Sequence, residues 1–291
     1  IGAYALALEK NKINWSTPLL DAPVRQLEDE KTGELKDWPA NFSKTYAEDD
    51  ILVVDALAQS INTIAVRVGE QAGVGNIYRF MKNSLGVTSL TPEDNDSGPM
   101  ILGSQTHGIS PYELAGAYMM LGNGGSFTTL HCYTSVQTGY GREIAAPELK
   151  TKQVLGTDTA YVMNRLLKNV LFSSVGTASG RYPNSNGMEA FGKTGTASDE
   201  KDLWFVGGTP YYVTAVWWGY DAPYDMTKTL GKQQAKTRTC VTAWKALMEQ
   251  IQADLPYKAF PAADGVVERS YCTQSGLLAS GSRPSTAVGY Y

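Results

Sequence analysis

Lys193-Thr194-Gly195-Thr196 is the stretch that decides the fold, because it places a lysine, a glycine and two hydroxyls inside a predicted strand, residues 190–197. A glycine in a strand weakens it and often marks the close approach of another backbone. This edge could take an extended peptide as an added strand and pair its carboxylate with the lysine and threonines. Taken alone, the Lys-Thr-Gly pattern also arises by chance. An ordinary solvent-exposed edge strand with no binding function would have the same residues.

The chain around and after this stretch predicts an antiparallel sheet. Residues 203–208 and 211–220 look like two further strands, and only short turns separate the three. Short connections join antiparallel neighbours. A final helix, residues 239–253, is predicted to pack across the sheet. Its apolar stripe consists of Val241, Trp244, Leu247, Met248 and Ile251.

The chain before this stretch is mostly helical in pattern. Residues 51–122 show helical spacing in several pieces, and Ser110-Pro111-Tyr112-Glu113 is a capping box with proline at the first helical position. Residues 126–147 predict a small β excursion, and residues 158–171 predict another helix. The fold class is therefore α/β, with an antiparallel sheet flanked by helices and a mostly helical subdomain.

Composition excludes several classes of protein. The 291 residues are 43% hydrophobic and 19% charged, which is typical of a globular domain with a sizeable core. A net charge of −4 gives no indication of a nucleic-acid partner. No apolar run reaches the roughly 18 residues that a membrane span needs.

The few cysteines and histidines argue against several kinds of site. Cys132, Cys240 and Cys272 are odd in number and contain no Cys-x-x-Cys pair, which argues against a disulfide scaffold and a structural zinc site. With only His107 and His131, neither a His-rich metal site nor a Ser-His-Asp triad is expected. Lysine becomes the natural candidate base, and we expect no cofactor.

Ser60-Ile61-Asn62 interrupts an otherwise apolar stretch, residues 51–68. A serine and an asparagine there must find hydrogen-bond partners or line a cleft. Ser-x-Asn is a common pattern by itself, and a helix N-cap at Ser60 is the simpler explanation.

The two short motifs mean more together, because Ser-x-x-Lys, Ser-Asp-Asn and Lys-Thr-Gly mark class A β-lactamases and penicillin-binding proteins. This sequence has the second and third elements in that order, with Ile61 in place of the central Asp. Longer runs resemble class A penicillin-binding proteins far more specifically, and the resemblance covers roughly residues 1–255. These runs are ALAQSINTIAVRV (56–68), LGSQTHGISPYELAGAY (102–118), GKTGTA (192–197), DLWFVGGTP (202–210) and WGYD (218–221).

The resemblance implies a peptidoglycan D,D-transpeptidase. Such an enzyme cross-links stem peptides by acyl transfer from D-Ala-D-Ala and is acylated by β-lactams. It implies no nucleic-acid partner, a catalytic domain at the extracytoplasmic face of the bacterial membrane, and a longer protein with a membrane anchor and an N-terminal glycosyltransferase domain.

The resemblance also implies roles for individual residues. Ser60 would relay a proton between Lys193 and the leaving group, and Asn62 would hold the substrate amide. Lys193 would supply positive potential, so its ammonium should lie roughly 3 Å from the Ser60 hydroxyl across one cleft. The Thr194 and Thr196 hydroxyls would bind the terminal carboxylate, and the Thr196 backbone N–H would be half of the oxyanion hole. The substrate-binding residues are thus Thr194, Gly195 and Thr196.

One motif of the family is not found where it belongs. The nucleophilic serine lies in a Ser-x-x-Lys-Pro run that is followed closely by an aromatic, alanine-rich stretch, and residues 1–9, IGAYALALE, resemble that stretch. The run is therefore expected just before residue 1, since the match at residues 198–201 lies in a charged turn at the wrong place. We expect residues 1–262 to be a partial transpeptidase domain that lacks its N-terminal strands. Residues 263–291 would be a tail or the start of another module.

Three alternatives remain open from the sequence. A β-lactamase or a D-Ala-D-Ala carboxypeptidase would use the same motifs, although residues 204–210 and the motif spacing favour the transpeptidase. A catalytically dead binding module on the same fold also fits a chain without a nucleophile. A Ser-x-x-Lys encoded upstream of Ile1 would support the enzyme, and its absence would support the binding module.

Overall fold

The computed structural model describes residues 1–29, 31–182, 187–222, 224–230, 238–280 and 285–291. Its helices are α1 (Gly2–Glu9), α2 (Val53–Gln59), α3 (Asn62–Ala72), α4 (Val74–Arg79), α5 (Pro111–Gly122), α6 (Thr157–Phe172), α7 (Met226–Leu230) and α8 (Arg238–Ile251). Its strands are β1 (Pro18–Leu20), β2 (Arg25–Glu28), β3 (Leu35–Trp38), β4 (Asp50–Leu52), β5 (Ser126–Thr128), β6 (Val136–Gln137), β7 (Glu143–Ala145), β8 (Thr151–Gln153), β9 (Phe191–Thr196), β10 (Asp202–Gly208), β11 (Val213–Gly219), β12 (Glu268–Cys272) and β13 (Thr286–Tyr290).

The central sheet is antiparallel, as predicted, and has the order β11-β10-β9 in the described part of the chain. Val206 of β10 pairs with Lys193 of β9 on one side and with Ala215 of β11 on the other. Strand β9 therefore lies at an edge of this sheet. Because side chains alternate along a strand, Lys193 and Thr194 point to opposite faces.

Helix α8 covers one face of the sheet. The indole N–H of Trp244 donates to the Gly207 carbonyl at 3.1 Å, and its ring packs edge-on against Phe205. Val241 and Met248 are buried with it. The prediction was wrong for Leu247 and Ile251, which are 43% and 41% exposed. The buried stripe of α8 runs through positions 241, 244 and 248 and contacts β10 and β11, and the Sγ of Cys240 also donates to the Leu203 carbonyl of β10 at 3.3 Å.

Helices α5 and α6 pack on the other face and connect the sheet to the helical subdomain. Helix α5 contacts β10 and β11, whereas α6 contacts β9 on one side and α2 on the other. Most of α6 is buried, and Met163, Leu166 and Leu167 lie in the core that it shares with α1, α2 and α3. This arrangement places the end of α2 beside the edge strand β9.

The predicted capping box at the start of α5 is confirmed. The Ser110 hydroxyl accepts from the Glu113 backbone N–H at 3.2 Å, and the Glu113 carboxylate accepts from the Ser110 hydroxyl at 3.0 Å. The Glu113 carboxylate also accepts the backbone N–H of Thr88 at 2.8 Å. The cap therefore fixes the preceding loop as well as the helix start.

Strands β12 and β13 form a hairpin that packs against the beginning of the chain. The ring of Tyr290 lies 5.1 Å from that of Trp15, and the Ser16 hydroxyl donates to the Gly276 carbonyl at 2.6 Å. These contacts join residues 276 and 290, in the segment interpreted as a tail or a further module, to residues that follow α1. None of the helices in the described ranges is both long and apolar enough to cross a membrane.

Candidate active site

Ser60 ends α2 in the left-handed backbone region, with φ 61° and ψ 48°. A residue with a side chain pays roughly 1–2 kcal/mol for this conformation, which only glycine adopts freely. The N-cap of α3 is Ile61, so the explanation of Ser60 as an N-cap is wrong. A strained non-glycine residue that caps neither helix with its side chain is a candidate for function.

The cap of α3 comes instead from Asn41, which is almost fully buried. Its carbonyl oxygen Oδ1 accepts from the backbone N–H groups of Asn62 and Thr63 at 3.1 and 3.3 Å. Its amide nitrogen donates to the carboxylate of Asp21 at 2.8 Å, and the Thr63 hydroxyl donates to the same oxygen at 2.6 Å. This buried network frees Ser60 from capping and fixes the turn that presents it.

Lys193 reaches Ser60 from the edge strand β9. Its ammonium donates to the Ser60 hydroxyl at 2.7 Å and to the carbonyl of Thr194 at 3.1 Å. The contact of about 3 Å predicted from the sequence is therefore present. The hydroxyl and the ammonium lie where a proton can pass between them directly.

Burial changes the acid–base properties of this site. Desolvation lowers the pKa of Lys193 to about 8, because removal from water disfavours its charged form.

Thr177 is a residue of this region that sequence reasoning missed. Its hydroxyl lies 2.7 Å from that of Thr194, and its backbone N–H donates to the Ala58 carbonyl in α2 at 3.1 Å. It follows Gly176, where a Cβ atom would come within 2.4 Å of the carbonyl oxygen of Val170. Gly176, which follows α6 and directly precedes Thr177, is the only sequence signal for the tight turn that brings the chain back toward α2.

Gly195 lies next to an aromatic side chain. A Cβ atom there would come within 3.0 Å of the Cβ of Trp204, its cross-strand partner on β10. The neighbour that limits this glycine is thus a side chain within the sheet, and the close approach of another backbone stays a prediction. Thr196 follows at the end of β9, opposite Leu203, and both Thr194 and Thr196 are half-buried.

Asn62 lies in the first turn of α3, two residues from Ser60, but it contacts a different part of the molecule. Its amide nitrogen donates to the carbonyl of Ala40 at 2.8 Å, which directs the side chain toward the loop between β3 and β4. The structure therefore brings together Ser60, Lys193 and Thr194, whereas it holds Asn62 at the rim.

The site can hold an anion and transfer a proton. Lys193 supplies a positive charge, and Ser60, Thr177 and Thr194 supply hydroxyls at the edge of an open strand. In the part of the chain that the structure describes, no group of three or more His, Cys, Asp or Glu side chains has the arrangement of a metal site.

Comparison with known families and proteins gives one consistent result. Residues 1–237 match the family model described as the penicillin binding protein transpeptidase domain. Penicillin-binding protein 1A of Clostridium botulinum is 28% identical over 275 residues, which are 94% of this chain and 32% of that protein. Penicillin-binding protein 1A of Clostridium tetani is 29% identical over 295 residues, 98% of this chain and 36% of that protein. The chain thus spans about a third of the length of these curated relatives.

Solved structures share the fold. Penicillin-binding protein 1A of Haemophilus influenzae superposes with a TM-score of 0.79 at 21% identity, over 100% of this chain and 46% of that one. The PonA1 protein of Mycobacterium tuberculosis in complex with penicillin V gives a TM-score of 0.65 at 19% identity, over 97% of this chain and 74% of that one.

Proposed function

The chain belongs to the family of penicillin-binding protein transpeptidase domains, and from this we propose that it forms the main part of a serine-type D,D-transpeptidase that cross-links peptidoglycan. The observation that carries the proposal is the 2.7 Å hydrogen bond between Lys193 and Ser60. It joins two motif elements at a site with both a proton carrier and a positive charge.

In the proposed reaction, the nucleophilic serine gives its proton to the lysine of the same Ser-x-x-Lys run, and its oxygen attacks the carbonyl carbon of the D-Ala-D-Ala amide of a stem peptide. The C–N bond breaks, and D-alanine leaves as an amine that must gain a proton. Ser60 relays that proton from Lys193, which supports the role because its pKa of about 8 lies close to the working range. The amine of a second stem peptide then resolves the acyl-enzyme.

Substrate binding is assigned to the open edge of β9. The hydroxyls of Thr194 and Thr196 and the charge of Lys193 hold the terminal carboxylate, and the peptide lies along the backbone at Gly195. The backbone N–H of Thr196 is proposed as one oxyanion donor, an interaction worth about 10²–10³ in rate when removed. Asn62 holds the substrate amide, which requires its side chain to leave the carbonyl of Ala40.

The nucleophile is assigned to a Ser-x-x-Lys run that precedes Ile1 in the longer protein. This proposal is supported by packing, since α1 contacts α6 and α6 contacts β9, the strand that carries Lys193. The second oxyanion donor is then the backbone N–H of that serine.

For the longer protein we propose the context indicated by the names of its relatives. Stem peptides ending in D-Ala-D-Ala are its substrates, and β-lactams acylate it as substrate mimics. It is anchored in the bacterial membrane with this domain outside the cytoplasm, and a glycosyltransferase domain lies toward its N-terminus.

Release of D-alanine from a stem pentapeptide by the full-length protein tests this function. Lys193→Ala should abolish release while the protein remains folded, and Lys152→Ala, which alters an exposed lysine on β8, should leave it unchanged. Release that persists in Lys193→Ala, or no release by the unmodified protein, would reject the proposal.

A further inference from the structure

Two buried polar residues that lie outside the motif runs, Asp21 and Asn41, form a pair at the start of α3. Asp21 is 3% exposed and Asn41 is 6% exposed. The Nδ2 of Asn41 donates to Oδ1 of Asp21, while its Oδ1 accepts the backbone N–H groups of Asn62 and Thr63. The side chain of Asn41 thus joins a buried carboxylate to the first turn of the helix that carries Asn62.

The carboxylate of Asp21 determines which way the amide of Asn41 faces. It accepts hydrogen bonds from Nδ2 of Asn41, from the Thr63 hydroxyl at 2.6 Å and from the backbone N–H of Ala47 at 2.8 Å. A carboxylate offers acceptors only. If the amide of Asn41 turned over, its oxygen would face this carboxylate and its NH2 group would face the N–H groups of α3. The observed orientation is therefore the one in which every group is paired.

The backbone of Asp21 is itself anchored on two sides. Its N–H donates to the Asp49 carbonyl and its carbonyl accepts from the Glu48 N–H, both at 3.0 Å, which extends the pairing of β1 with β4. The Arg67 guanidinium of α3 donates to the carbonyls that precede and follow Asp21 in the chain, at 2.9 and 3.0 Å. Asp21 is therefore held both to the strand that leads into α2 and to α3.

We propose that Asp21 and Asn41 are positioning residues for Asn62 in acyl transfer, an inference that rests on the role of Asn62 in the function proposed above. Asn41 holds the backbone N–H of Asn62, and the carbonyl of the neighbouring Ala40 holds its side chain at 2.8 Å. Asp21 acts on Asn62 through Asn41. A displacement of about 1 Å at a group that holds substrate can cost about 10² in rate.

Exchange of the two residues tests their pairing in the full-length protein. Asp21→Asn places an NH2 group against Nδ2 of Asn41 or against the Ala47 N–H, and Asn41→Asp places two carboxylates together. Each should slow acylation at saturating benzylpenicillin by about tenfold or more, measured by stopped flow. The double variant Asp21→Asn/Asn41→Asp exchanges donor and acceptor across the same contact, so its rate should return to within about threefold of the unmodified protein. The remaining deficit reflects the Thr45 carbonyl, which loses its 3.1 Å hydrogen bond from Nδ2.

A double-mutant cycle with Asn62 separates positioning from a general loss of stability. With Asn62→Ala present, Asn41→Asp should change the acylation rate by less than about twofold, because the side chain through which it acts is gone. A residue that only stabilised the fold would slow both backgrounds equally. Asp94→Asn is the matched control, since it alters a fully buried carboxylate that accepts the backbone N–H groups of Thr91 and Thr106 at 2.8 and 2.7 Å. It should leave the acylation rate of the folded protein unchanged.

Thr63→Val keeps the test usable if the variants at positions 21 and 41 do not fold. It is nearly isosteric and removes the hydrogen bond from the hydroxyl to Asp21, so acylation should slow by about threefold or more. The inference is overturned if folded Asp21→Asn, Asn41→Asp or Thr63→Val reacts at the unmodified rate. It is also overturned if the exchange restores nothing, or if Asn41→Asp costs as much with Asn62→Ala present as without it. Failure of the unmodified protein to form an acyl-enzyme would instead overturn the function on which the inference rests.

Discussion

The hydroxyl of Ser60 accepts a 2.7 Å hydrogen bond from the ammonium of Lys193, which lies 133 positions later in the chain. One partner stands in a left-handed turn between two helices, and the other on the edge strand of the sheet. Their contact is the point at which the helical subdomain and the sheet meet to form one site.

Ser60→Gly and Ser60→Ala separate the strain at this position from its chemistry. Both remove the hydroxyl, so both should slow acylation of the full-length protein by benzylpenicillin by about 10² or more. The glycine variant should be the more stable by about 1 kcal/mol, because it adopts a φ of 61° without a Cβ clash. Stopped-flow acylation and denaturant unfolding measure the two effects. This account would be contradicted if either variant were acylated at the wild-type rate, or if the two variants had the same unfolding free energy.

Lys193 should set the alkaline limit of acylation. Because burial lowers its pKa to about 8, the ammonium loses its charge as the pH rises through 8, and acylation should fall there. Lys193→Arg stays charged over this range, so its slower reaction should lack that decline. Rates measured from pH 6 to 10 test the difference between the two profiles. A decline near pH 8 of the same size in the arginine variant would assign it to another group.

Thr177→Val tests whether Thr177 positions the hydroxyl of Thr194. The change is nearly isosteric and removes their 2.7 Å contact, so half-saturation by penicillin should require a higher concentration while the limiting rate changes little. Stability should fall by no more than about 1 kcal/mol. Thr128→Val is the matched control, since it breaks a similar 2.9 Å hydroxyl pair with Thr151 between β5 and β8. Equal effects of the two variants on half-saturation would refute the positioning role.

Glu189 should stabilise the start of β9 in a pH-dependent way. Burial alone would raise its pKa, but hydrogen bonds from Arg165, Lys168 and the Phe260 N–H outweigh burial and lower the pKa to about 2. A lowered pKa means that this stabilisation is complete above about pH 4.5 and is lost as the pH falls toward 2. Glu189→Gln should cost about 3 kcal/mol of unfolding free energy at pH 7, because Arg165 loses a largely buried partner. Unfolding curves of both proteins should converge between pH 4.5 and 2, and a gap that stays constant would rule out this origin.

Elements with local signals were predictable from the sequence. The capping box at Ser110 is satisfied by a residue three positions away, and the strands β9 to β11 follow one another through short turns. The approach of Ser60 to Lys193 was predicted from the resemblance of two motifs, since nothing in either segment alone specifies the other.

What the sequence did not reveal depends on distant contacts. The cap of α3 comes from Asn41, 21 positions before Asn62, so Ser60 looked like the cap itself. Thr177 matters through a hydroxyl on β9 and a carbonyl on α2, and neither leaves a periodic pattern. Leu247 and Ile251 have the spacing of buried residues, but burial depends on the width of the sheet beneath them.

The most direct test of the central claim is the mapping of a benzylpenicillin adduct by peptide mass spectrometry. In the proposed reaction Ser60 is a proton relay beside the nucleophile, and Thr63 and Ile64 occupy the positions where a catalytic lysine would have to follow it. In the full-length protein, the adduct should map to a serine in a Ser-x-x-Lys run before Ile1, and residues 1–291 alone should form no adduct. An adduct on Ser60 or on Ser198 would show that the nucleophile has been misplaced.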